Sequence, residues 1–187
     1  MMNNNKFEYF LNAVHYCIWL SDMKFGDFMG RIVNTLFSPI PKYLFTKEYK
    51  KKYYERLSEE QKKIDKFFYD KEIGYHIAWA HYWFGYLYSC YPGFFSWLLL
   101  GIASRVYGDE VEGMVVLLIF SFPVALGYIP AYRAVFSKDR YLKYFKQFEK
   151  ENEQWHKKWK MITWAFCIGA LITMAIGFFC MAIITSV

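Results

Sequence analysis

The sequence predicts an all-α integral membrane protein with about three transmembrane helices, amphipathic N-terminal helices and cytoplasmic helical extensions. Three stretches, 73–104, 113–132 and 161–187, contain no charged residue. Each is at least as long as the roughly 20 residues that a helix needs to cross the hydrocarbon of a bilayer. The chain is also 56% hydrophobic and 23% aromatic, which is well above the composition of a typical soluble domain.

Two similar apolar patterns at the start of the chain predict two amphipathic helices. Apolar or histidine side chains recur at steps of 0, 3, 4, 7, 8, 11 and 12 from Phe7, and the same steps recur from Phe25. Each set forms one face of a helix that is too short to cross a bilayer. Ser21 or Asp22 is placed to cap the second helix, and the prolines of 38–41 are expected to end it. Both helices are expected to lie in the membrane interface or to pack on neighbouring helices.

Residues 46–70 mix both signs of charge densely and predict a cytoplasmic helix with a solvated face. A second cytoplasmic helix is predicted over 138–160. The expected organisation is therefore a cytoplasmic or interfacial helical region over 1–72, followed by a transmembrane helical bundle over 73–187.

The first uncharged stretch is divided by Pro92, and two structures fit it. Thirty-two helical residues would extend about 48 Å, which exceeds the roughly 30 Å of hydrocarbon. Either one helix kinked at Pro92 spans the membrane over 75–104, or two short arms form a hairpin that dips into it. The kinked helix is favoured, because its Tyr-rich and Trp-rich first half then lies in the headgroup zone.

The other two predicted spans are 113–132 and 161–185. Between them, aromatic residues keep helical spacing, so the helix over 138–160 is expected to run unbroken into the last span. The indole side chains near its start are predicted interfacial anchors: Trp155, Trp159 and Trp164.

The distribution of charge predicts the orientation. Segment 1–72 carries 13 Lys and Arg and segment 133–160 carries nine, whereas the loop 105–112 carries one Arg and three acidic residues. The positive-inside rule therefore places both large segments in the cytoplasm and the C-terminus outside. An odd number of spans satisfies this arrangement, so we expect a multi-pass protein of the inner or plasma membrane.

The sequence offers few residues for chemistry. His76 and His81 are five residues apart, about 140° around a helix, so one helix cannot aim both at one metal. Pairing with His15 or His156 on other helices would be needed to hold haem or a metal; otherwise the histidines are interfacial. With no recognisable nucleophile, phosphate-binding or metalloprotease motif, the chain is not expected to be an enzyme or to hold a cofactor or metal.

The basic residues are expected to contact anionic lipid headgroups, because they lie beside the predicted spans. Acidic residues are interleaved with them and no RNA-binding signature occurs, so no nucleic-acid partner is expected. The predicted headgroup contacts are Arg105, Arg133, Lys157, Lys158 and Lys160.

A stripe of small residues runs along the last span at four-residue steps: Ala165, Gly169, Thr173 and Gly177. Small side chains let helix backbones approach closely, and such packing drives helix association in membranes. The stripe is expected to pack either on the 113–132 span of the same chain, which is favoured, or on a second copy in a homo-oligomer.

These features favour a non-enzymatic multi-pass accessory or interaction protein that binds a protein partner through its charged cytoplasmic helices. In layout alone, the chain resembles small accessory proteins of bacterial membranes, including membrane partners encoded beside defence systems. One alternative is a pore, channel or transporter subunit, although spans without charged residues disfavour transport. A second alternative is a haem-binding or metal-binding membrane enzyme subunit. The residues that would line a pore or hold a cofactor are His76, His81, Tyr82, Tyr86 and Ser89.

Overall fold

A computed structural model describes residues 6–37, 65–108 and 112–186, together with the isolated positions 56, 60 and 63. Of the described residues, 93% are helical and none lies in a strand, so the all-α part of the prediction is confirmed. The helices are α1 (Lys6–Phe37), α2 (Tyr75–Tyr107), α3 (Gly113–Val135), α4 (Arg140–Phe148) and α5 (Glu153–Ser186), with a 3-10 turn at Ser137–Asp139. The predicted helix over 46–70 lies mostly outside the described residues. Within that range, the described residues 65–69 are helical. The chain divides into two compact units, one of residues 1–17 with 82–187 and one of 18–81.

The N-terminal region is one helix of 32 residues and not two. The two apolar patterns begin 18 residues apart, at Phe7 and Phe25. Eighteen residues make about five full helical turns, so both patterns lie on the same face of one uninterrupted helix. Asp22 is therefore inside α1 and does not cap a second helix, and neither does Ser21. The prolines expected to end the helix lie outside the described residues.

Helix α2 continues through Pro92 for 33 residues, so the hairpin alternative for 73–104 is wrong. The proline ring packs against Gly127 of α3, where an added Cβ would lie 2.6 Å from the Cβ of Pro92. Nearby, Ser96 Oγ donates a hydrogen bond of 2.8 Å to the carbonyl oxygen of Phe120. The absence of a side chain at position 127 is what lets the two helices meet at the proline.

Helix α2 contacts both α3 and α5. Gly85, early in α2, contacts Tyr128 late in α3, whereas Ser96, later in α2, contacts Phe120 earlier in α3. The two helices are therefore antiparallel. Against α5, contacts advance along both helices, and these two are parallel. Along α2 and α5 the contacts are Tyr91 with Phe166, Trp97 with Gly177, and Gly101 with Met181. The three helices therefore run up, down and up.

The helix predicted over 138–160 is interrupted, and it does not continue unbroken into the last span. Helix α4 ends at Phe148 and α5 begins at Glu153. Asn152 caps α5, because its Oδ1 accepts a hydrogen bond of 2.8 Å from the backbone N–H of Trp155. The rings of Phe148 and Trp155 stack at 4.8 Å across the break, so the aromatic spacing survives although the helix does not.

Two of the described helical stretches are long and apolar enough to cross a membrane: Gly113–Phe148, which contains α3 and α4, and α5. Their most apolar windows have mean hydropathies of 2.1 and 2.5. Helix α2 is not among them although it is as long, because its Tyr, Trp, Pro and Gly residues lower its mean hydropathy.

Candidate functional site: a helix-packing seam and an aromatic cleft

The glycines of the small-residue stripe pack against α2. The sequence instead predicts packing on the 113–132 span. A Cβ at Gly169 would lie 3.0 Å from the hydroxyl oxygen of Tyr91, and a Cβ at Gly177 would lie 3.3 Å from the Cα of Phe94. The Thr173 hydroxyl donates a hydrogen bond of 2.7 Å to the Gly169 carbonyl on its own helix. Within the chain, the two glycines therefore serve close packing.

Ala165, at the other end of the stripe, is exposed. A four-residue step turns about 40° beyond a full helical turn, so three steps carry the stripe about 120° around α5. The buried residues of α5 are instead separated by three, four and then seven positions. They are Thr163, Phe166, Ala170 and Gly177, which make up the buried face of α5. The hydroxyl of Tyr91 donates a hydrogen bond of 2.7 Å to the Phe166 carbonyl on this face, a contact that sequence spacing does not reveal.

The predicted tryptophan anchors occupy two environments. Trp164 is 61% exposed, and its role as an interfacial anchor stays a prediction. Trp155 donates a hydrogen bond of 2.9 Å from Nε1 to the hydroxyl of Tyr9, and the ring of Trp159 lies 5.6 Å from the same tyrosine. These two indoles pack on the start of α1, and sequence spacing alone did not indicate that contact.

An aromatic core joins the start of α1 to α4. His15 is fully buried, and its ring lies 5.3 Å from the rings of both Phe84 and Phe145. Asn12 donates through Nδ2 to the Ala134 carbonyl at 3.0 Å. Burial, followed by the nearby Glu149 carboxylate, raises the pKa of Tyr16 to about 12. His15 is thus a core side chain within this unit.

The predicted headgroup contacts lie on the surface. Arg105 and Arg133 are exposed near the ends of α2 and α3, and the three lysines of α5 are exposed near its start. Lys157 Nζ lies 3.7 Å from Glu153 Oε2, a solvated pair one turn apart that contributes little stability. Their contact with lipid stays a prediction.

The residues proposed for a pore or cofactor all belong to α2, and that role stays a prediction. Tyr82 and Tyr86 are 60% and 53% exposed on the outer face of α2, and Ser89 is half-buried. His81 is also half-buried, whereas His76 is 5% exposed and bonds to an aspartate. Among the described residues, no group of three or more His, Cys, Asp or Glu side chains is placed to hold a metal ion.

The unit of residues 18–81 contains a cleft of about 450 Å³ built around His76. His76 Nδ1 lies 2.6 Å from Asp22 Oδ2, which fixes the imidazole against α1. Position 26 of α1 has no side chain, and a Cβ there would lie 2.6 Å from His76 Cε1. The cleft is lined by Asp22, Phe25, Gly26, Met29, Asp65, Phe68, Tyr69, Tyr75, His76 and Trp79.

Two polar contacts brace the chain beside this cleft. The Tyr69 hydroxyl donates a hydrogen bond to Asp27 Oδ1, and this bond raises the pKa of Tyr69 to about 12. Asp70 Oδ1 accepts hydrogen bonds from the backbone N–H groups of Glu72 at 2.7 Å and Ile73 at 3.1 Å. These bonds hold the pKa of the Asp70 carboxyl below its usual value. Sequence reasoning missed the cleft, because Asp22 and His76 are 54 residues apart and no local spacing connects them.

No protein-family model, curated protein or solved structure matches this chain.

Proposed function

We propose that the chain is a three-span membrane protein, with its N-terminus in the cytoplasm, that acts as a non-enzymatic accessory or interaction protein. The observation that carries the proposal is the exposure of its most apolar helices. Only 6% and 11% of the most apolar windows of Gly113–Phe148 and α5 are buried within the protein. A core helix of a soluble protein would instead be mostly buried, because each large apolar side chain left in water forgoes about 1.5–3 kcal/mol. Lipid tails remove that penalty.

The packing of α2 supports its assignment as the third span. It contacts both α3 and α5 along their apolar lengths, and its own side chains Phe95, Leu99 and Ile102 are exposed. A helix that shares the depth of two spanning helices and faces outward with apolar residues belongs in the same hydrocarbon layer. An up-down-up bundle also places the two ends of the three-span segment on opposite sides of the membrane.

Exposed aromatic rings at one end of the bundle support the same depth assignment. Tyr86 of α2, Tyr132 of α3 and Trp164 of α5 are 53%, 54% and 61% exposed. Each lies within about two helical turns of the contacts that α2 makes at Gly85 and Tyr91. Rings at a shared level form the aromatic belt expected at a membrane–water boundary. The basic residues Arg133 and Lys160 adjoin this end, which favours the cytoplasmic side.

The interaction role is supported by exposed apolar side chains outside the proposed spans. They follow one face of the second half of α1: Phe25, Phe28, Met29, Ile32, Val33 and Leu36. A contiguous apolar surface of this kind is typical of a binding site for a protein or a membrane. We assign it to a protein partner that the charged cytoplasmic region helps to recruit.

Cysteine labelling in intact cells tests the orientation. In a cysteine-free full-length background, Glu112→Cys should react from outside with a membrane-impermeant maleimide, and Lys157→Cys only after the membrane is permeabilised. Both positions are exposed, so each serves as the reactivity control for the other. Equal labelling of both in intact cells would contradict the three-span orientation.

Photo-crosslinking in native membranes tests the partner. A crosslinking amino acid at Phe28 should give a discrete protein adduct, whereas one at the exposed control position Lys157 should not give the same adduct. Adducts with lipid alone at Phe28 would show that this face binds the membrane and would remove the support for a protein partner.

A further inference from the structure

We infer that the cleft of the 18–81 unit binds a quaternary ammonium group, carried either by free choline or by a choline lipid. The inference depends on side chains within this one unit and not on the number of membrane spans.

Aromatic rings line the cleft, among them those of Phe68, Tyr75 and Trp79. The rings of Phe68 and Tyr75 lie 5.3 Å apart, and those of Tyr75 and Trp79 are stacked at 6.2 Å with an interplanar angle of 11°. The face of an aromatic ring attracts a cation, and Trp attracts it most strongly. A quaternary ammonium group offers no N–H to donate, so rings satisfy it better than hydrogen-bond acceptors do.

The charge of the lining has the sign that a cation requires. Asp22 and Asp65 line the cleft, and the described lining residues include no Lys or Arg. Aromatic rings recognise quaternary ammonium ligands, and a nearby carboxylate adds Coulombic attraction for the cation. A cleft of about 450 Å³ falls within the usual range for small-molecule sites, about 300–1,000 Å³, and leaves room for the substituent on the ammonium group.

The close approach at Gly26 fixes the shape of the cleft. His76 is buried against α1 because position 26 has no side chain, and the same imidazole holds Asp22 at 2.6 Å. The ring of Tyr69, which also lines the cleft, lies 5.3 Å from that of His76. A methyl group at position 26 would displace His76 and would thereby disturb its contacts with Asp22 and with the Tyr69 ring.

Choline and its uncharged tert-butyl isostere provide the direct test on the full-length protein in detergent. Saturation-transfer NMR titration should give saturable choline binding, with the isostere bound at least about tenfold more weakly, since it carries no charge to interact with the aromatic rings and carboxylates. Equal affinity for the two ligands, or no saturation with choline, would overturn the inference.

Variants locate the site. Asp22→Asn and Trp79→Ala should each weaken choline binding by about fivefold or more. Gly26→Ala should weaken it as well, whereas Gly30→Ala is the matched control, because a Cβ at position 30 has nothing within 4 Å. Unchanged affinity in both Asp22→Asn and Trp79→Ala would place choline elsewhere and overturn the inference. If Trp79→Ala fails to fold, Trp79→Phe is the alternative variant. The Phe ring attracts a cation less strongly than the indole does, so this variant should still bind choline measurably more weakly.

Nanodiscs separate the two sources of the ligand. If the headgroup of a choline lipid occupies the cleft, free choline should bind more weakly in phosphatidylcholine discs than in phosphatidylglycerol discs. If free choline is the ligand, its affinity should be equal in both. Either pattern supports the quaternary ammonium site, whereas no saturable binding in either disc contradicts it.

Discussion

The two halves of α1 carry the same apolar spacing but differ in burial. In the first half, Leu11 and Val14 are 1% and 0% exposed. In the second half, Phe25 and Leu36 are 62% and 64% exposed on the continuation of the same face. Spacing therefore predicts which side chains share a face of a helix, but whether that face is covered depends on other elements that spacing does not describe.

The largest difference is expected between two matched leucine truncations. Leu11→Ala should cost about 2–5 kcal/mol of unfolding free energy, because it leaves a cavity in a packed core. Leu36→Ala should stay within about 0.5 kcal/mol, since an exposed site loses few contacts. Denaturant titration followed by circular dichroism in mild detergent measures both. Equal losses would mean that the second half of α1 is covered as the first half is.

Helix α5 offers the same comparison between a covered face and an open one. Gly177→Leu should destabilise the protein by about 1–3 kcal/mol by overpacking the seam with α2. Ala165→Leu should have little effect, because Ala165 is exposed. Mass measured in detergent should not change in either variant. A Gly177→Leu protein that stays folded but dissociates into smaller species would make the stripe a seam between copies.

A smaller effect is expected from removing one hydroxyl. Tyr91→Phe deletes the hydrogen bond of 2.7 Å to the Phe166 carbonyl, which should cost about 0.5–1.5 kcal/mol. Tyr86→Phe is the control on the exposed face of α2 and should be near neutral. Thermal unfolding compares the two, and equal stability of both variants would contradict the seam geometry.

The smallest expected effect separates two tyrosines that share a raised pKa for different reasons. Burial is the main cause for Tyr16, whereas a hydrogen bond to Asp27 is the main cause for Tyr69, and both pKa values are raised to about 12. A pKa raised in the folded state stabilises the protein below the ordinary value of about 10, and that stabilisation is lost as the pH rises from about 10 to about 12.

Asp27→Asn should therefore return the pKa of Tyr69 towards its ordinary value and leave Tyr16 unchanged. Tyr16→Phe should flatten the loss of stability above pH 10. NMR titration of tyrosine ring carbons measures the first effect, and unfolding as a function of pH measures the second. A changed pKa of Tyr16 in the Asp27→Asn protein would contradict the conclusion that the two pKa values are raised for different reasons.

Much of the fold was predictable because it depends on local features. Uncharged stretches and helical spacing indicated each long helix among the described residues, and the absence of a breaker between the two N-terminal patterns indicates that they form one helix. Asn is a residue type that commonly caps a helix, so Asn152 could have indicated a new helix start. The aromatic spacing on both sides of it instead led to the wrong prediction of one continuous helix. Contacts between distant segments were not predictable: Gly26 with His76, Tyr91 with Phe166, and the packing of α5 on α2.

The central claim is that α2 is a third span beside α3 and α5. Its most direct test is the reactivity of Leu99→Cys, whose parent side chain is 43% exposed on the outer face of α2, towards a water-soluble maleimide in intact and permeabilised membranes. Leu118→Cys on α3 and Lys157→Cys supply the lipid-facing and water-facing references. If α2 spans the membrane, the cysteine at position 99 should be as unreactive as that at position 118. If it reacts as readily as the cysteine at position 157, the outer face of α2 is in water and the three-span account is wrong.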